Sequence, residues 1–421
     1  MKMLKSLTFF CLLIALTANT ILAQESIRFE HLKYDEIIEK SKREKKPVMI
    51  YFTGTGCYLC VKMEKNVFPI PEVSNFYNTN FITVESFDDF TKPDSSTKRL
   101  RRRFNTISNP TFIFTDSTGE VIHKSGYKET IQFLQVGKQA ISNDNYKIWK
   151  EKIDGGQLDA TLMLKYLSAE QKPFLFSETN YTCDAQTRLD LYFNSIPKKD
   201  FLLTDNWSII SNYVANPHSQ VFEYLLNQEA EFSNVYGIQA VNEVIYKILA
   251  DAWSGATESD AYKKAENYIR SLNHPLAKLK ILQRDYLFQN KKEIITRLNV
   301  PDEAKKYIQL FDQNITRYPY LFSIYAVNDV ATIINDQFKQ NKEWLDKAKK
   351  WMELLLAIPA NESYDFYATL AQTYFHIKDF KSAIDAQNKA VQLAIKDELE
   401  KEELDLYQKK LNEYKQAASN R

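Results

Sequence analysis

Cysteine, glycine and histidine are scarce in this chain. Its 421 residues include only 4 cysteines and 9 glycines. So few cysteines exclude a disulfide-rich scaffold. So few glycines, set against 25 tyrosines and 26 phenylalanines, exclude glycine-rich low-complexity architectures and predict long helices joined by aromatic contacts. The five histidines (His31, His123, His218, His274 and His376) are scattered, and none forms a spaced set with cysteines that would give zinc its four ligands. There is no HExxH, phosphate-binding loop, dinucleotide fingerprint or Ser–His–Asp arrangement, so hydrolase chemistry has little support. Neither sign of charge dominates, with 55 Lys and Arg against 54 Asp and Glu. Nothing therefore marks a nucleic-acid or membrane surface. After the first two dozen residues no apolar run is long enough to span a bilayer.

Residues 1–23 read as a secretory signal peptide. Lys2 and Lys5 form the basic end, Leu7 to Leu16 the apolar segment, and Ala23 the residue before cleavage. Cys11 lies inside that segment without the small residues that precede a lipidated cysteine. The mature protein is expected to be exported, periplasmic and soluble, keeping Cys57, Cys60 and Cys183.

Cys57-Tyr58-Leu59-Cys60 is the most informative stretch. It follows an apolar run, Pro47 to Phe52, and a small-residue turn, Thr53-Gly54-Thr55-Gly56. It opens a helical pattern through Leu59, Met63 and Val67. That order places a thiol at a helix N-terminus, where unpaired N–H groups and the macrodipole favour the thiolate. A second cysteine one turn on makes the pair suited to disulfide exchange. A permanently oxidised structural pair and a two-coordinate soft-metal site are the competing readings of the same residues. Cys183 reads as a small buried hydrophobe, with a third redox cysteine as the sharper alternative. The run Lys98 to Arg103 reads as a solvated helix face, with an anion-binding patch as the alternative.

The flanking pattern is mixed α/β: a helix over Tyr34–Lys45, strands at 47–52 and 81–84, and a helix over Ser95–Phe104. A hairpin comes next, Thr111–Phe114 and Val121–Lys124 around Asp116 to Gly119, then a helix over Thr130–Ile141. This succession, with Asn109-Pro110-Thr111 before the hairpin, resembles the thioredoxin-like superfamily. Val67-Phe68-Pro69 resembles its exported bacterial branch. The resemblance implies that Cys57 is the nucleophile and Cys60 the resolving thiol. It also implies a cis peptide bond before Pro110, with Asn109 presenting its backbone to a client strand and Gly56 bordering the same groove. An ordinary trans proline at a strand start is the alternative for Pro110. Two positions depart from the family. Gly56 stands where tryptophan is usual, and Tyr51 stands where some members carry a buried carboxylate, so deprotonation of Cys60 needs water or another acid.

Residues 142–156 are polar and read as a linker between a thioredoxin-like domain, 24–141, and an all-helical domain, 157–421. Helical periods recur through the latter. Leu370, Ala371, Tyr374, Phe380, Ala383 and Ala390, within 364–395, sit at spacings that resemble a tetratricopeptide repeat, small residues allowing two antiparallel helices to approach. The expected fold is an α/β thioredoxin-like domain followed by an all-α helical-repeat domain. The expected function is an exported thiol–disulfide oxidoreductase, a reductase or isomerase of protein disulfides. No cofactor or metal is implied. The implied partners are protein disulfide substrates, an electron donor such as a membrane reductase, and a protein bound by the helical domain. The alternative is a non-catalytic thioredoxin-fold scaffold that binds clients without turnover.

Overall fold

The computed structural model describes residues 26–89, 95–106, 108–170, 184–252, 260–287 and 289–420. The expected signal peptide and Cys183 lie outside them. The chain divides into two compact units, residues 1–214 and 215–421.

The first unit opens with α1 (Tyr34–Glu44), β1 (Val48–Gly54), α2 (Tyr58–Asn66), α3 (Pro71–Asn80) and β2 (Ile82–Asp88). Helix α4 (Ser95–Phe104), β3 (Thr111–Thr115), β4 (Val121–Ser125) and α5 (Thr130–Ala140) come after them. α1 has Asp35 and Glu36 in its first turn and Lys42 and Arg43 in its last, matching the macrodipole at both ends. Lys45, at a left-handed φ of 53°, ends it just before Pro47.

The sheet order is β2-β1-β3-β4. β1 runs parallel to β2, with Tyr51 beside Glu85, and antiparallel to β3, with Phe52 beside Thr111. A parallel pair needs a crossover, and α2 and α3 supply it. Every residue of β1 is buried, which accounts for the apolar run Val48 to Phe52. Alternate side chains enter different cores. Val48, Ile50 and Phe52 join Ile37, Phe104 and Ile113, whereas Met49 and Tyr51 join Cys60, Met63, Phe68 and Phe133. The helix bearing the cysteine pair thus packs on the Tyr51 face of β1.

Residues 142–156 are not a bare linker. They contain α6 (Tyr146–Asp154), which packs against β4 with Trp149 only 1 % exposed. Asn145 caps it by accepting the N–H of Ile148, and the stripe Tyr146, Trp149, Ile153 is buried. α7 (Ala160–Ala169), α8 (Asp184–Ser195) and α9 (Thr204–Tyr213) complete the unit. The expected helical region 157–421 therefore divides at Val214, with three of its helices in the first unit.

The described residues of the second unit are helical, with no strand. They form α10 (Gln220–Asn227), α11 (Glu229–Tyr236), α12 (Ile238–Ala252), α13 (Asp260–Ser271), α14 (Pro275–Leu282) and α15 (Lys291–Leu298). Then come α16 (Pro301–Arg317), α17 (Ile324–Gln337), α18 (Lys342–Leu356), α19 (Tyr364–His376), α20 (Phe380–Lys396) and α21 (Lys401–Ser419). Ala371 and Ala383 sit where α19 meets α20, in a cluster that includes Tyr374, Phe375 and Tyr414. Burial pushes the Asp312 carboxyl up, but hydrogen bonds from Lys347, Trp351 and Lys350 outweigh it and hold it at about 2. That cluster ties α16 to α18.

Candidate redox site

The site is built at the end of β1. Gly54 has no room for a side chain, because a Cβ there would lie 2.6 Å from the Asp88 carbonyl oxygen. The Thr55 N–H donates to that same carbonyl (3.0 Å), pinning the turn to the end of β2. Gly56 takes φ +75°, the left-handed region that glycine enters at little cost, and the space around it is open. Cys57 then caps α2: its Sγ accepts the Cys60 N–H at 3.2 Å. Cys57 and Cys60 form a disulfide, with Cα atoms 5.2 Å apart. Cys57 is half-buried, whereas Cys60 is 2 % exposed and belongs to the core. The first turn of α2 has no acidic residue to offset the favourable helix terminus.

A cavity of about 420 Å³ opens beside the pair, lined by the Thr53–Tyr58 turn, Cys60, Val61, Glu64 and Phe87. Tyr58 (76 % exposed), Leu59, Val61 and Phe87 make the surrounding surface apolar.

The Asn109–Pro110 peptide bond is cis. Since β3 starts at Thr111 opposite Phe52, this loop lies at the same end of the sheet as the turn before Cys57. The Asn109 Nδ2 would lie 3.0 Å from a Cβ on Gly54, which places the loop directly against that turn. The expected residues Gly56, Cys57, Cys60, Asn109 and Pro110 thus all fall at one end of β1 and β3.

Sequence reasoning misses Arg101 and Glu64. Arg101 belongs to the run 98–103, whose sequence suggests a solvated face, but its side chain is 12 % exposed. It pairs with Asp88 (3.3 Å), donates to Asn109 Oδ1 (2.6 Å) and lies over the Phe52 ring. Burial pulls its guanidinium down and the Asp88 charge opposes that. A signal is present in the spacing: Thr97, Arg101 and Phe104 are four and three apart, one helical face, and the other two are buried. Glu64 comes four residues after Cys60, and its Oε1 accepts the Tyr51 hydroxyl at 2.9 Å. Among the described residues, no group of three or more His, Cys, Asp or Glu side chains could hold a metal ion.

Residues 34–141 match the family model described as a thioredoxin-like domain. This part of the chain is a thioredoxin-like domain. A disulfide bond reductase, DsbH, of Chlamydia pneumoniae is 25 % identical over 103 residues, 23 % of this chain and 61 % of that protein. The chain thus spans about three fifths of that relative's length. Among solved structures, a DsbH oxidoreductase is 21 % identical, with a TM-score of 0.26, covering 29 % of this chain and 90 % of its own. A thioredoxin from Thermus thermophilus is 24 % identical, with a TM-score of 0.25, covering 28 % and 90 %. In this thioredoxin-like domain the disulfide-bonded pair occupies the N-terminus of α2.

Proposed function

We propose that this chain is an exported thiol–disulfide oxidoreductase that reduces or isomerises protein disulfides. The observation that carries this reading is the placement of Cys57. Its Sγ sits at the N-terminus of α2, accepts a backbone N–H and borders an open cavity, while Cys60 is buried one turn on. In the reduced state, the Cys57 thiolate attacks a client disulfide and forms a mixed disulfide. Cys60 then releases the client by closing the internal pair. The likeness to DsbH, a disulfide bond reductase, supports the reducing direction. Asn109 and Pro110 are assigned the client strand, and Gly56 leaves room for it. A periplasmic reductase needs an electron donor, for which a membrane reductase is the class. The tetratricopeptide-like helices near 364–395 are assigned protein binding.

Reduction of insulin by dithiothreitol, monitored as turbidity, tests the reading. The wild-type chain is expected to accelerate it and Cys57→Ser to abolish the acceleration. Cys60→Ser should trap client proteins as mixed disulfides. A wild-type chain without acceleration, together with an empty trap, would favour the non-catalytic scaffold.

A further inference from the structure

Closing the internal disulfide requires Cys60 to lose a proton, and Cys60 is only 2 % exposed. A buried thiol resists ionisation unless a base lies within reach. The family's carboxylate position is Tyr51, a phenol whose burial pushes it up, so it keeps its proton and serves as a donor. With Tyr51 protonated, the proton goes to water or to another side chain.

We infer that Glu64, held in place by the Tyr51 hydroxyl, exchanges the proton with Cys60 during each turn of disulfide exchange. The inference rests on the exchange function proposed for Cys57 and Cys60. Cys60 and Glu64 are four residues apart on α2, which puts them on one face a single turn apart. Both line the cavity that also holds Cys57, and Glu64 is exposed at it, giving the buried thiol a route to solvent. The Tyr51 hydroxyl donates to one carboxylate oxygen, fixing its orientation. Among the described residues, no lysine or arginine forms an ion pair with Glu64. Among the described residues, the ionisable groups around it are Cys57, Cys60 and Tyr58 from α2, Tyr51 from β1 and Glu85 from β2. Burial first, and then the Glu64 charge, push Glu85 up, while His31 draws it down.

In the mixed disulfide, the Cys60 thiol gives its proton to the Glu64 carboxylate. The Cys60 thiolate attacks Cys57 Sγ, and the Cys57–Cys60 bond forms as the Cys57–client bond breaks. The client sulfur leaves with the electron pair and takes a proton from solvent. Glu64 returns its proton to solvent. The client is reduced and the cysteine pair oxidised.

Reduced full-length chain mixed with the aromatic disulfide DTNB separates the two thiol steps in stopped flow. The first release of chromophore reports attack by Cys57, the second reports resolution by Cys60. Glu64→Gln is expected to slow the second phase by about tenfold to a hundredfold at neutral pH, leaving the first within about twofold. Its second phase should also rise steadily with pH where the wild-type rate is nearly flat. Tyr51→Phe, which keeps the ring packing, should give a smaller slowing in the same phase. A normal first phase with an unchanged second phase in Glu64→Gln overturns the inference alone. Loss of any Cys57-dependent first phase in the wild-type chain overturns the exchange reading and this step with it.

Discussion

His123, on β4, is a neutral imidazole in a place that excludes charge. Its Nδ1 accepts the Tyr146 N–H at 3.2 Å, and the Trp149 ring meets it edge-on. Burial lowers its pKa from 6.5 to about 4, with the Asp144 charge opposing. Protonation would also remove the acceptor that Tyr146 needs. The unfolded chain takes up this proton near pH 6.5 and the folded chain only near pH 4, so stability is fully present above the first value and falls between the two. The whole loss is about 3 kcal/mol, at about 1.36 kcal/mol for each pH unit separating the folded and unfolded values. Urea unfolding across that window should therefore show the wild-type chain losing more stability than His123→Gln. Parallel losses in the two proteins would refute the assignment. Nothing in the sequence marks this histidine, because its surroundings come from α6, more than twenty residues further on. Arg101 is hidden for a related reason: five neighbouring basic and apolar residues suggest one solvated face, while its partners Asp88 and Asn109 come from other elements.

Helix α5 turns on Gly137. A Cβ there would stand 2.6 Å from Phe76 Cε1 and 2.8 Å from Tyr77 Cζ. Glycine inside a helix costs about 1 kcal/mol relative to alanine, so Gly137→Ala would stabilise a helix in isolation. Here the close approach of α3 decides otherwise. Tyr77 is fully buried and its hydroxyl donates to the Phe133 carbonyl at 2.7 Å, so the ring cannot move aside without losing that bond. Overpacking costs about 1–3 kcal/mol, and the net effect of Gly137→Ala is a destabilisation of ~1–2 kcal/mol in thermal or urea unfolding. A more stable variant would show that the two helices separate easily. Elements are legible in the sequence where the pattern is local. The apolar run at 47–52 and the turn residues 116–119 specify β1 and the hairpin without reference to anything distant. α6 escapes such a reading, because Ser142 to Asp144 before it and Gly155-Gly156 after it are turn-like and only nine residues form the helix. Its buried stripe, Tyr146, Trp149 and Ile153, is the available signal.

At the scale of the whole molecule, α6 and α7 change what counts as the smallest stable piece. The thioredoxin-like match ends at residue 141, yet both helices pack against β4 from beyond that point. Lys124 of β4 pairs with Glu170 at 3.0 Å, Tyr146 donates to the same carboxylate, and Arg188 from α8 holds Asp154 at the end of α6 with two hydrogen bonds. The composition of 142–156 cannot convey this, since polar residues serve linkers and helix caps equally well. We propose that the exchange unit extends to Val214, and that cutting at Ile141 removes a layer and not a tether. Loss of the Trp149 side chain alone costs about 3–5 kcal/mol, a large part of the ~5–15 kcal/mol that stabilises an ordinary domain. A chain of residues 26–214 is therefore expected to unfold cooperatively and to retain Cys57-dependent insulin reduction, while 26–141 melts at a much lower temperature or without a cooperative transition. Trp149→Ala in the full-length chain gives the same test without truncation, as an early-melting first unit. Equal melting of the two fragments, with little effect of Trp149→Ala, would return 142–156 to the status of a linker and leave the thioredoxin-like domain self-sufficient.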